Sequence, residues 1–115
     1  MNDQELPQAY LDALFGYRQE LDALDAELVA LLAARFAVTR QVGTLKAAHG
    51  AAAADPARED AQLERLSALS SRLELPVEVV REVFATLFRF VREGHLAQAS
   101  HAHGSSTEFE GSTLV

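Results

Sequence analysis

The chain has 115 residues, a formal net charge of -7 and no cysteine. Its length corresponds to one domain, and the lack of cysteine excludes disulfides and thiolate chemistry. The negative charge argues against nucleic acid or a membrane surface as a partner, because both would repel the chain. No apolar run is long enough to cross a bilayer and no basic-then-apolar leader follows Met1, so we expect a cytoplasmic protein.

The first predicted helix runs from about Pro7 to about Ala48. Its apolar positions recur at alternating spacings of three and four residues, which is typical of a long helix with one packed face. A helix of about 40 residues is roughly 60 Å long, and the remaining chain is too short to cover it. We expect a second copy of the protein to cover the apolar face of this helix. We call these positions the first-helix stripe: Leu14, Tyr17, Leu21, Leu24, Leu28, Leu31, Arg35, Val38, Val42 and Leu45.

Arg35 is the one charged residue of the first-helix stripe. A guanidinium in a packed position costs several kcal/mol unless an anion meets it. That anion is either a carboxylate of a neighbouring helix or a bound ligand, and the stripe alone does not decide between them.

Two further helices follow. Asp55 and Pro56 supply an N-cap and a first-turn proline, which predicts a second helix to about Arg72. Residues 74–76 separate it from a third helix whose packed face comprises Val80, Phe84, Leu87, Val91, His95 and Gln98. The predicted fold class is therefore all-α, with three helices per chain, one of them very long.

The apolar pattern ends at Ala99. We therefore predict a helical domain over residues 1–99 and a flexible tail over residues 100–115. His101 and His103 lie in this tail without a carboxylate or third ligand at a recognised spacing, so a solvated tail is favoured over a metal site.

The basic residues of the first helix suggest a shared anion site. Arg18 and Arg35 are 17 residues apart, which separates them by about 25 Å along one helix. In an antiparallel pair of first helices, however, Arg18 of one chain approaches Arg35 of the other. Lys46 lies on the same face as Arg35, and Arg58 and Glu59 can fold over this region. A pocket for a small dianion results; the alternative is an ordinary solvated face.

The order of Arg18, Arg35, Lys46, Asp55, Arg58 and Glu59, with the segments LDALDAELVALLAARF, VGTLKAAHG and ADPARE, resembles a known family. It is the all-helical, AroQ-type (type II) chorismate mutase family, and the resemblance covers roughly residues 14 to 98. It implies an intertwined helical homodimer that rearranges chorismate to prephenate, in phenylalanine and tyrosine biosynthesis, without metal or cofactor.

By position, the resemblance implies a role for each site residue. Arg18 enters from the partner chain, and the two substrate carboxylates are held by three cations, Arg35, Lys46 and Arg58. Asp55 and Glu59 receive the ring hydroxyl. The catalytic candidates are Arg35, Lys46, Glu59 and His95; the substrate-binding candidates are Arg18, Asp55, Arg58, Val91 and Gln98.

The third helix departs from the family pattern. Familiar members carry Ser and Gln where this chain has Val91 and His95. His95 is thus one candidate for the contact to the substrate's ether oxygen, and Gln98, one turn further on, is another. A histidine on an apolar face is more often a satisfied core or interface residue, so that alternative stays open.

The expected reaction needs no nucleophile, because one C–O bond breaks as a C–C bond forms in the same molecule. Catalysis would rest on holding the reactive conformer and on placing donors at the ether oxygen. Two alternatives remain: an isochorismate pyruvate lyase of the same fold, and a helical dimer that binds a ligand or partner without catalysis. The ADPARE segment favours the mutase over the lyase.

Overall fold

A computed structural model describes the backbone of residues 5–108 and the side chains of residues 5–101. It contains three helices, α1 (Gln8–Ala48), α2 (Pro56–Arg72) and α3 (Val77–Glu108), and the described residues form no strand. The prediction of an all-α chain with one very long helix is confirmed.

The chain divides into two compact units, Met1–Phe36 and Ala37–Val115. The described part of the first unit is mainly α1 up to Phe36. The second unit contains the last turns of α1 together with α2 and α3. None of the helices in the described range is long and apolar enough to span a membrane.

The end of α1 is set by Gly50, which has a φ of +64°. This left-handed conformation lets the N–H of Ala51 donate to the carbonyl of Lys46 at 2.9 Å, which closes the last turn. Glycine adopts it without a Cβ penalty. Lys46 therefore lies in the last turn of α1, which ends two residues later at Ala48.

Both ends of α2 are capped as well. Asp55 accepts a hydrogen bond from the N–H of Arg58 at 3.1 Å, and Pro56 occupies the first turn. At the other end Glu74 takes a φ of +56°, so that Leu75 N–H donates to Ser70 O at 2.9 Å. The predicted bounds of this helix are confirmed.

The core of the second unit lies where α2 packs against α3. Val80, Leu87 and Phe88 are its buried apolar residues, and the rings of Phe84 and Phe88 meet edge to face at 6.0 Å. The predicted packed face of the third helix is confirmed, because each of its members is buried or half-buried. Phe88 joins that face although the sequence pattern did not include it.

The third helix extends nine residues beyond the predicted end of the helical domain at residue 99. The apolar pattern stops at Gln98, whereas α3 continues to Glu108. A helix already formed gains one hydrogen bond for each residue added, so losing the apolar period does not end it, and no proline interrupts this stretch. The tail's flexibility stays a prediction. Its residues 109–115 lie outside the described part of the chain, as does the side chain of His103.

In the second unit α3 approaches the last turns of α1 at Gly43, which is buried. A Cβ at this position would lie 2.6 Å from Cδ2 of the buried His95 ring and closer still to Oε1 of Gln98. Only glycine therefore permits this distance between the two helices.

We predict that Gly43→Ala destabilises the protein by about 1–3 kcal/mol, because the added methyl group forces the His95 ring to shift. Helix propensity alone would favour alanine by about 1 kcal/mol. Gly94→Ala is the matched control, since nothing lies within 4 Å of a Cβ there. Urea denaturation should show opposite shifts for the two variants, and equal shifts in the same direction would contradict the steric explanation.

Candidate active site

Two basic side chains of the second unit converge on a single backbone oxygen. Lys46 Nζ donates to the carbonyl of Ala53 in a long hydrogen bond of 3.4 Å, and His95 Nδ1 lies 3.4 Å from the same oxygen. Lys46 is half-buried and His95 is 6% exposed. The last turn of α1, the connection before α2 and the middle of α3 therefore meet at this carbonyl.

His95 is held on both sides by backbone carbonyls. Its Nε2 lies 2.8 Å from the carbonyl of Thr39, opposite the longer contact to Ala53. A carbonyl only accepts, so the shorter contact assigns a proton to Nε2, and the cationic ring would donate to both oxygens. The contact to Thr39 anchors the ring, which is the structural role that the sequence left open, while Nδ1 faces the oxygen that Lys46 contacts.

Gln98 is also bonded to α1. Its Nε2 donates to the carbonyl of Arg40 and to Oγ1 of Thr44, each at 3.0 Å. Both N–H bonds of the amide are thereby used. Of the two candidates on α3 for the ether-oxygen contact, His95 is the one whose ring lies against the carbonyl that Lys46 contacts.

The first turn of α2 carries three predicted site residues, and Asp55 fixes its start. The Asp55 carboxylate accepts the Arg58 N–H, which stabilises the helix N-terminus through both the hydrogen bond and the helix dipole. The side chain of Arg58 is exposed, whereas Glu59 is half-buried. The cap therefore presents a cation and a carboxylate from consecutive positions.

Glu59 forms an ion pair that the sequence did not predict. Arg92 Nη1 lies 2.5 Å from Glu59 Oε1, and their side chains are 37% and 22% exposed. The two residues are 33 positions apart, and no helical spacing links them. The available signal was that Arg92 lies one turn after Phe88 and one turn before His95, hence near the packed face of α3.

The predicted site residues are divided between the two units. Arg18, which is exposed, and Arg35, which is half-buried with a buried Nη1, lie in the first unit. The other seven lie in the second unit, where Val91 is half-buried on α3. Within residues 5–101 no group of three or more His, Asp or Glu side chains could hold a metal ion.

Comparison with known proteins assigns this helical arrangement to a class of enzymes. Residues 17–95 match the family model described as chorismate mutase type II. The chain therefore belongs to the chorismate mutase type II family, and chorismate mutases are isomerases. It is also 33% identical over 87 residues to the T-protein of Haemophilus influenzae, covering 76% of this chain and 22% of that protein. The chain thus spans about a fifth of the length of this relative.

We predict that Asp55→Ala destabilises the protein by about 1 kcal/mol, because the Arg58 N–H loses its acceptor. Asp55→Asn should retain most of the stability, since asparagine is an equally good N-cap and only the interaction of the charge with the helix dipole is lost. Thermal unfolding of both variants measures this difference. Equal losses for the two would show that the carboxylate charge, rather than the cap, stabilises α2.

Proposed function

We propose that this chain rearranges chorismate to prephenate. Membership of the chorismate mutase type II family supports this reaction. The single observation that carries it furthest is the convergence of Lys46 and His95 on one oxygen, because the reaction develops negative charge on one ether oxygen.

The ether oxygen would take the place of the Ala53 carbonyl as the acceptor for Lys46. The flexible Lys46 side chain can turn from one acceptor to the other, and its present bond of 3.4 Å is long. His95 Nδ1 would donate to the same atom when it carries a proton. Lys46 Nζ and His95 Nδ1 already lie close to each other, so they would stabilise the developing charge with little reorganisation.

The substrate's two carboxylates would be held by Arg35, Lys46 and Arg58. The chain as a whole carries a charge of -7, so a dianion needs an enclosed group of cations to be attracted at all. Asp55 and Glu59 would receive the ring hydroxyl, while Val91 and Gln98 would line the site. Holding both carboxylates fixes the compact conformer in which the C–C bond forms.

A second copy of the chain would complete each site. The apolar members of the first-helix stripe are mostly exposed in the single chain: Tyr17 is 64%, Leu31 67% and Leu45 61% exposed. An apolar surface of this extent is rarely left to solvent. We propose an intertwined homodimer in which these stripes pack together and Arg18 enters the site of the partner chain.

Purified protein should consume chorismate, as followed by its ultraviolet absorbance, and form prephenate. Lys46→Ala should lower the rate by about 100- to 1,000-fold, because it removes a preorganised donor. Arg72→Ala is the matched control and should leave the rate unchanged, since Arg72 lies about 21 Å along α2 from Arg58.

The same assay separates the alternatives. Pyruvate released from isochorismate, with chorismate left intact, would identify a lyase of this fold. A helical dimer that binds without catalysis would convert neither substrate.

The shared site can be tested by mixing chains. Arg18→Ala and Arg35→Ala should each be nearly inactive alone, since each removes a cation from both sites. In a mixed dimer one site takes Arg18 from the Arg35→Ala chain and Arg35 from the Arg18→Ala chain, so it is complete. The other site lacks both arginines. Random pairing of equal amounts should therefore restore about a quarter of the parent activity.

The interlocked chains need to be refolded together for this exchange. Sedimentation of the parent should first show a dimer, and differently tagged chains should show that mixed dimers have formed. Confirmed mixed dimers without recovered activity would rule out a site shared by Arg18 and Arg35.

A further inference from the structure

The ion pair between Arg92 and Glu59 joins α3 to the first turn of α2. A second ion pair on α3, Arg89 with Glu93, offers a direct comparison. That pair is 3.5 Å long and its side chains are 53% and 59% exposed, whereas Arg92 and Glu59 are 2.5 Å apart and much less exposed. An exposed pair of this kind contributes little, because solvent screens it. The Arg92 pair therefore constrains its carboxylate more strongly.

The contact engages only one oxygen of the carboxylate. Arg92 Nη1 lies against Oε1, and within the described residues no hydrogen bond to Oε2 is formed. A carboxylate accepts through both oxygens, so Oε2 can receive a hydroxyl proton while Oε1 is held. The guanidinium thus fixes the direction in which Glu59 can accept.

The ion pair also changes the electrostatic interaction between Glu59 and the substrate. A carboxylate beside a dianionic substrate repels it, and Asp55 adds another negative charge four residues earlier. Arg92 offsets the charge of Glu59 at close range. The carboxylate can then accept a hydroxyl with less repulsion of the substrate.

We propose that Arg92 is a positioning residue that holds Glu59 by Oε1 and aims Oε2 at the substrate's ring hydroxyl. This inference rests on the proposed chorismate mutase reaction and adds to it a residue from α3. Arg92 itself need not touch the substrate, because it acts through the carboxylate that it orients and neutralises.

The test is a double-mutant cycle on kcat/KM for chorismate. Arg92→Gln should lower kcat/KM on the order of 10- to 100-fold, with part of the loss in KM, because Glu59 loses both its orientation and its counter-charge. Arg92→Lys should recover much of that loss, since it keeps the charge. Arg89→Gln is the matched control on the same helix and should equal the parent.

The cycle is completed with Glu59→Gln. Adding Arg92→Gln to this variant should change kcat/KM by no more than about twofold, because there is no carboxylate left to orient. If the double variant lost kcat/KM by the product of the two single losses, the inference would be overturned. It would also be overturned if Arg92→Gln had the kcat/KM of the parent. Thermal unfolding separates a purely structural role, which would lower the melting temperature and leave kcat/KM of the folded protein unchanged.

Failure of the proposed reaction has a different signature. A parent protein that does not convert chorismate would overturn both the reaction and the role of Arg92. If the parent is active but the two substitutions act independently on kcat/KM, only the role of Arg92 would be overturned.

Discussion

The close approach of α3 to the last turns of α1 at Gly43 is the constraint on which the second unit depends. Because no Cβ separates the helices there, the His95 ring reaches the backbone of Thr39 and Gln98 reaches that of Arg40. These bonds fix the rotation of α3 about its own axis. The face that carries Arg92 is thereby directed at the first turn of α2, where Glu59 lies.

The helix caps fix where α1 ends and where α2 begins. Gly50 ends α1 just after Lys46, and Asp55 starts α2 just before Arg58. A connection of only seven residues, 49–55, places one lysine, one arginine and two carboxylates within the 14 residues 46–59. A dense group of charges is stable in this segment because the caps and the Arg92 pair use part of that charge internally.

Much of this arrangement could be predicted because its determinants are local in sequence. The spacing from Leu14 to Leu45 predicted α1, and Asp55 with Pro56 predicted the start of α2. Contacts between distant residues could not be read in this way. The pairing of Glu59 with Arg92 and the two carbonyls around His95 depend on how α3 is rotated against its neighbours, which no local spacing specifies. The end of α3 was missed for the opposite reason, since an apolar period reports packing and not helix length.

The Ala53 carbonyl has a consequence for how the connection between α1 and α2 can vary. The oxygen that Lys46 and His95 share belongs to the backbone, so the side chains of the connection make no contribution to this contact. Three of its four consecutive alanines, residues 51, 52 and 54, are exposed and therefore open to substitution. An insertion or deletion would instead move the carbonyl by several ångströms and separate it from both donors. Between Gly50 and Asp55 the geometry therefore constrains the length of the segment more tightly than its composition.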